Sequence, residues 1–387
     1  GELDRVLGGG IVPGGVVLLA GEPGVGKSTL LLTVAAHFAG AVSPGKVLYI
    51  TGEESASQVR LRAERISALR DNLLLAAETD LATVLGHIAQ QDPQLVIVDS
   101  VQTIASAAVD GSAGGVSQVR EVTGALIAAA KAANIPIILV GHVTKDGSVA
   151  GPRILEHLVD VVCNFEGDRA SSLRLLRAIK NRYGPTDEVG CFALAESGII
   201  EVPDPSGLFI SQSAARVPGT AISVTVEGNR ALGLEIQALA APSVLSNPRR
   251  TTSGVDSSRL AMIIAVLQRR LGVQLGNSDV YVSTVGGAKV VDPAADVAIA
   301  VALLSSVLDG PPHPQVAVLG EIGLSGELRA ITGYQRRIAE AARLGRTKIV
   351  APAGAAKDVQ LPKGVELVEA LDLHEALNAA VPKYGKK

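Results

Sequence analysis

The sequence predicts an α/β protein in two parts, a P-loop domain built on a mainly parallel sheet and then a second, separate α/β domain. Three observations carry this. The apolar run Val16-Val17-Leu18-Leu19-Ala20 leads into Gly21-Glu22-Pro23-Gly24-Val25-Gly26-Lys27-Ser28 and on into Thr29-Leu30-Leu31-Leu32, so G-x-x-x-x-G-K-[ST] stands between a strand and a helix, as a phosphate cradle requires. Continuous apolar runs then alternate with helical patterns, the mark of parallel strands covered on both faces. A turn-rich stretch, Pro203-Asp204-Pro205-Ser206-Gly207, interrupts this alternation before a fresh α/β pattern begins. The expected division is a first domain over 1–202, a linker over 203–218 and a second domain over 219–387.

The residue types of the first motif follow from its chemistry. Glycines allow successive backbone N–H groups to converge on a β-phosphate, and the following helix adds the partial positive charge of its N-terminus. Lys27 has the reach for the β and γ oxygens, and Ser28 offers a hydroxyl to Mg²⁺. The whole stretch from Gly21 through Thr29 is therefore assigned to nucleotide binding, with ATP or GTP as ligand.

After the cradle helix the pattern predicts strands at 47–51, 73–75, 95–99 and 137–140, with helices at 57–69, 81–90 and 119–133. Ligands of such sheets gather at the carboxyl ends of the strands. Asp99 ends one strand and fits the acid that holds Mg²⁺ through its water shell. Glu53 and Glu54 follow another, and one of them can orient and deprotonate an attacking water while the other caps the next helix. His142 ends the fifth strand, where it either senses the γ-phosphate or serves structure alone. Two polar, glycine-bearing segments, 103–120 and 144–153, leave adjacent strand ends, and loops of that length are uncommon unless functional.

Beyond the boundary, strands are expected at 221–227, 234–239 and 280–284, a helix at 257–271, and between them a loop at 242–254 whose Arg249 and Arg250 offer phosphate contacts. Hydrophobic residues make up 47% of the 387, ample for two cores. The longest apolar runs are broken well short of a spanning length and no signal peptide opens the chain, so no membrane association and a cytoplasmic location are expected. A net charge of −3, no Trp and 2% aromatics argue against stacking on bases and leave backbone phosphates as the route to any nucleic acid. Cys163 and Cys191 lie in apolar strand-like runs and are expected as buried thiols.

Several motifs together resemble a known family. The glutamate after the second strand, Asp99, the segment Gly141-His142-Val143-Thr144-Lys145-Asp146-Gly147 and above all Lys180-Asn181-Arg182-Tyr183-Gly184 are similar to the bacterial RadA (Sms) proteins, relatives of the RecA recombinases. The opening Gly1-Glu2-Leu3-Asp4-Arg5-Val6-Leu7-Gly8-Gly9-Gly10 also matches the segment before that family's phosphate loop, and the resemblance covers nearly the whole chain. It implies a RecA-like core and an ATP-driven, Mg²⁺-dependent motor on single-stranded DNA and branched recombination intermediates. A homohexamer, with a recombinase or replicative helicase as partner, belongs to the same implication. In it Glu53 is the base, His142 the sensor, Lys145 and Arg153 the DNA contacts, and Lys180 and Arg182 reach the ATP of a neighbouring subunit. The alternative is a nucleotide-switched repair scaffold that does not translocate. The family usually opens with a four-cysteine zinc finger, which does not precede Gly1 here.

The second half resembles the Lon proteolytic domain in architecture. Val291-Asp292-Pro293-Ala294-Ala295-Asp296 puts Ala294 at the nucleophile position, and Thr332-Gly333-Tyr334-Gln335-Arg336-Arg337 puts Gln335 at the base position. A methyl group cannot attack a carbonyl and a neutral amide cannot take the nucleophile's proton, so no protease is expected. Lys289, Arg329, Arg336, Arg337, Arg343, Arg346 and Lys348 supply basic charge that could serve DNA instead.

Overall fold

A computed structural model describes all residues except 41–44, 143–153, 168–171, 212–216, 358 and 386–387. The chain divides into two compact units, Gly1–Pro203 and Asp204–Lys387.

The first unit opens with helix α1 (Glu2–Leu7), followed by β1 (Val16–Gly21), α2 (Lys27–Ala39), β2 (Val47–Thr51), α3 (Ala56–Arg65), β3 (Leu73–Ala77), α4 (Leu81–Gln91) and β4 (Leu95–Asp99). Then come α5 (Val116–Ala133), β5 (Ile137–His142), β6 (Val161–Gly167), β7 (Leu173–Asn181), β8 (Val189–Ala195) and β9 (Gly198–Glu201). All nine strands join one sheet in the order β3-β2-β4-β5-β1-β6-β7-β8-β9. From β3 to β6 every pairing is parallel, and from β6 to β9 every pairing is antiparallel. This is the RecA-like P-loop architecture. The pairing of the antiparallel extension has no counterpart in the pattern reading.

Why these runs form a two-sided sheet is visible in β1. Val17 and Leu19 pack with Leu30, Leu31 and Leu32 of α2 on one face, while Val16 and Leu18 pack with Leu126 and Val119 of α5 on the other. Each such buried aliphatic side chain contributes about 1.5–3 kcal/mol. Side chains also set the helix boundaries. Ser55 accepts from Gln58 N and receives its side chain in return, starting α3, and Asp80 accepts from Thr83 N to start α4.

The second unit comprises β10 (Thr220–Glu227), β11 (Arg230–Pro242), β12 (Arg250–Ser253), α6 (Ser257–Leu271), β13 (Ser278–Thr284), α7 (Asp296–Leu308), β14 (Val316–Val318), β15 (Glu321–Ile322), β16 (Leu328–Arg329), α8 (Tyr334–Arg343), β17 (Lys348–Pro352), β18 (Glu366–Ala370) and α9 (Leu373–Ala380). They form sheets β10-β11-β13-β12, β14-β17-β18 and β15-β16. Helix α7 is buried from Asp296 through Ser305, which accounts for its being apolar almost all round.

Two expectations are corrected here. The supposed linker is partly structured: Pro205–Leu208 forms a 3-10 turn, and Ser206 donates to Glu340 of α8 at 2.6 Å and accepts from Gly233 N of β11 at 2.9 Å. The supposed loop at 242–254 ends in a strand, because β12 pairs in parallel with β13. Among the described residues no helix is long and apolar enough to cross a membrane.

Candidate nucleotide site

The cradle lies at the carboxyl end of β1, where the chain turns into α2. Gly26 has φ 111°, a conformation L side chains rarely adopt, and a Cβ there would stand 2.8 Å from Ile199 Cδ1. At Gly21 the obstacle is backbone: a Cβ would meet the Phe165 carbonyl oxygen at 2.4 Å. Both neighbours belong to the antiparallel extension, which therefore forms the rear wall of the loop. Lys27 is the first residue of α2 and Ser28 the second.

Lys27 is 4% exposed, and its Nζ donates to the carbonyls of Gly21 at 2.7 Å and Glu22 at 3.0 Å. Burial lowers the pKa of its ammonium, opposed by the charges of Asp99 and Glu53. Asp99, at the end of β4, accepts from the Tyr49 hydroxyl at 2.7 Å through Oδ2, while its buried Oδ1 has no protein partner. A buried carboxylate oxygen without a donor is costly unless something else completes it. With the Ser28 hydroxyl and the nearby Lys27, this is a donor set that suits a hydrated divalent cation and a polyphosphate.

The two candidate bases are separated by their partners. Glu54 is bound by Arg62 of α3, and its N–H donates to Thr51 Oγ1 at 3.2 Å. Glu53 turns instead toward β4 and β5. Its Oε1 accepts from Ser100 Oγ at 2.7 Å and lies 2.8 Å from His142 Nε2, an ion pair when the imidazole is protonated. His142 and Ser100 hold the Glu53 carboxyl down at about 2 against the opposing effect of burial. Gln102 Nε2 donates to the His142 carbonyl at 3.5 Å. The structure thus brings Lys27, Ser28, Asp99, Glu53 and His142 to the carboxyl ends of the neighbouring strands β2, β4, β5 and β1.

Other expected residues stand differently. Lys180 Nζ donates to the Glu156 and Val159 carbonyls, each at 2.8 Å, and Arg182 Nη1 to Asp160 Oδ1 at 3.0 Å. Asp160 also accepts from Val16 N at 3.1 Å, so Arg182 joins a clasp at the amino end of β1. Lys145 and Arg153 lie outside the described residues. The segment expected as a free loop over 103–120 is shorter and anchored, because α5 begins at Val116 and the buried Gln118 side chain accepts from Ser106 N and donates to the carbonyls of Ser106 and Val109. Arg250 donates to the carbonyls of Arg249, Ser278 and Leu275, so its guanidinium is engaged within the unit; Arg249, immediately before β12, is exposed.

In the second unit Ala294 is fully buried. Beside it Asp292 accepts from Ala294 N at 3.0 Å and Val226 N at 2.9 Å, and pairs with Arg337 at 2.7 Å. Arg337, 2% exposed, also donates to the carbonyls of Thr332 and Val224. Gln335 donates to the Gln360 carbonyl and accepts from its N–H. Of the basic residues expected to serve DNA, Arg337 is consumed by this pair, Arg343 by Asp204 and Glu340, and Arg329 by Glu321 and Glu327. Sequence reasoning missed Tyr49, Ser100 and Gln102. Only Ser100, next to Asp99, carried any positional signal.

The AAA domain family matches residues 2–148, and the Lon protease (S16) C-terminal proteolytic domain family matches residues 265–381. The DNA repair protein RadA of Mycolicibacterium smegmatis is 54% identical over 380 residues, which cover 97% of this chain and 80% of that protein. RadA of Mycobacterium tuberculosis strain H37Rv is 51% identical over 382 residues, covering 98% and 78%, and RadA of Streptococcus pyogenes serotype M1 is 47% identical over 378 residues, covering 98% and 83%. Among solved structures, that of the RadB recombinase aligns with 52% of this chain and 96% of its own at 24% identity, with a TM-score of 0.41.

Proposed function

Because the chain belongs to the bacterial RadA family of DNA repair proteins, we propose that it is an ATP-driven motor on single-stranded DNA that extends or migrates strand-exchange junctions in recombinational repair. The observation that carries the ATPase part is the buried Asp99 Oδ1, lacking a protein partner, at the strand end beside Lys27. On nucleotide binding Lys27 exchanges the carbonyls of Gly21 and Glu22 for the β and γ oxygens of ATP. Ser28 and Asp99 hold Mg²⁺, which neutralises developing phosphate charge when bound.

Glu53 is the base for the attacking water. A carboxylate held at about 2 is a weak proton acceptor, so its contacts with His142 and Ser100 must loosen before it can act. His142 directly precedes 143–153, the segment that carries the proposed DNA contacts Lys145 and Arg153, with Arg249 as a further contact. DNA bound there shifts His142 and frees Glu53, which makes turnover DNA-dependent. Lys180 and Arg182 act on the ATP of the neighbouring subunit in a homohexamer, leaving their local carbonyl and Asp160 partners as the ring assembles. The second unit serves assembly or DNA binding and not proteolysis. A recombinase or replicative helicase is the partner, in the cytoplasm.

The deciding measurement is ATP turnover by the full chain with and without single-stranded DNA. Stimulation of several-fold is expected. Hydrolysis at one rate in both conditions overturns the motor and leaves a nucleotide-switched scaffold.

A further inference from the structure

The inward face of β7 runs Arg174, Leu176, Ala178, all three buried, so an arginine stands where the alternation calls for an apolar side chain. Burying a guanidinium costs several kcal/mol in lost hydration. Arg174 is 6% exposed, and its Nε donates to the Val25 carbonyl at 3.1 Å while Nη1 donates to the Leu173 carbonyl at 2.8 Å. Val25 lies inside the phosphate loop, immediately before Gly26.

The peptide joining Val25 to Gly26 is planar and trans, so the Val25 carbonyl and the Gly26 N–H point in opposite directions. A donor that draws the carbonyl toward β7, the buried side of the loop, therefore turns the N–H toward the open side. Gly24 of the same loop is exposed, and a Cβ there would meet nothing within 4 Å. An inverted peptide would present a carbonyl oxygen to an anion.

We infer that Arg174 is a positioning residue of the nucleotide site, holding the Val25 carbonyl on the buried side so that the Gly26 N–H is aimed into the cradle and grips the β-phosphate. The inference rests on the nucleotide reading above. It also gives the antiparallel extension a task, since Phe165 and Ile199 wall the same loop that Arg174 orients.

Two variants test it by different routes. Arg174→Met removes the donor. Gly167→Ala leaves the arginine in the chain but displaces it, because a Cβ at Gly167, paired with Arg174 across β6 and β7, would fall 2.2 Å from its Cδ and 2.7 Å from its Nε. Dissociation constants for ADP and AMP are measured by calorimetry on the full chain, with circular dichroism melts confirming the fold. AMP lacks the phosphate that the loop grips, so general loosening weakens both nucleotides and leaves their ratio unchanged. In both variants the ADP-over-AMP preference should fall about tenfold or more, the scale of a hydrogen bond to a charged acceptor. A folded Gly167→Ala chain with a ratio within about twofold of wild type overturns the inference, whether or not Arg174→Met folds. A wild-type chain with no preference for ADP overturns the nucleotide reading and this inference with it.

Discussion

The phosphate cradle of the first unit and the Asp292–Arg337 corner of the second treat buried polar groups in opposite ways. In the cradle, Asp99 Oδ1 and Gln102 Oε1 are buried without protein partners, and the Lys27 ammonium is desolvated at a cost to its own charge. In the corner, Asp292 receives two backbone N–H groups and Arg337, Arg337 reaches two carbonyls besides, and Gln335 is matched twice to Gln360. A site that must bind something keeps open valences, and the strain of keeping them lowers stability. A site whose polar groups are matched to one another closes its valences internally and contributes to the scaffold. In the Lon-like unit the polar groups of this corner are thus matched to one another.

The contrast breaks most sharply at Lys27. Lys27→Met should reduce ATP turnover by about a hundredfold or more. It should also change the stability of the nucleotide-free chain by no more than about 1 kcal/mol, because relief of a buried ammonium offsets the two lost carbonyl bonds. Turnover assays paired with denaturant melts read both. Retained turnover would remove the cradle from the mechanism.

Arg337→Met should do the reverse. It leaves the partly buried Asp292 carboxylate without its cation, though still bonded to two backbone N–H groups, and the second unit should lose about 2–4 kcal/mol. A loss below about 1 kcal/mol, measured by urea unfolding, would mean that the corner is not cohesive and the comparison fails.

A smaller effect is expected from restoring the dyad. Ala294→Ser with Gln335→Lys should yield no peptidase activity, since Asp292 and Arg337 remain locked together beside the new serine. It should cost roughly 1 kcal/mol, because the introduced ammonium has no acceptor for the Gln360 N–H that Gln335 now receives. Cleavage of an unstructured casein substrate would show that the corner kept its catalytic geometry.

The smallest effect concerns acid. Glu53 is depressed from 4.5 to about 2, so its contribution to stability is complete above 4.5 and is lost as pH falls toward 2. Because the side chain is partly exposed, solvent screening keeps that contribution small. Melting temperatures of wild type and Glu53→Gln, followed over that window, should converge as pH falls. Parallel curves would show that the His142 and Ser100 contacts do not persist in solution.

By itself the sequence determined the strand-loop-helix of the cradle, the positions of Asp99 and His142 at strand ends and the helix α6. These are local: each depends on residue type and on a periodicity carried within one element. Tertiary structure alone decided that Glu53 and not Glu54 faces β4 and β5, since that choice rests on Arg62, Ser100 and His142 from separate elements. It likewise decided that Arg182 meets Asp160, that Arg337 is buried against Asp292 and that Arg174 stands behind the phosphate loop. A charge in a sequence carries no sign of its partner. Whether it is solvated, paired or aimed at a ligand is set by which distant segment packs beside it, and burial then fixes the energy of that choice through the local dielectric.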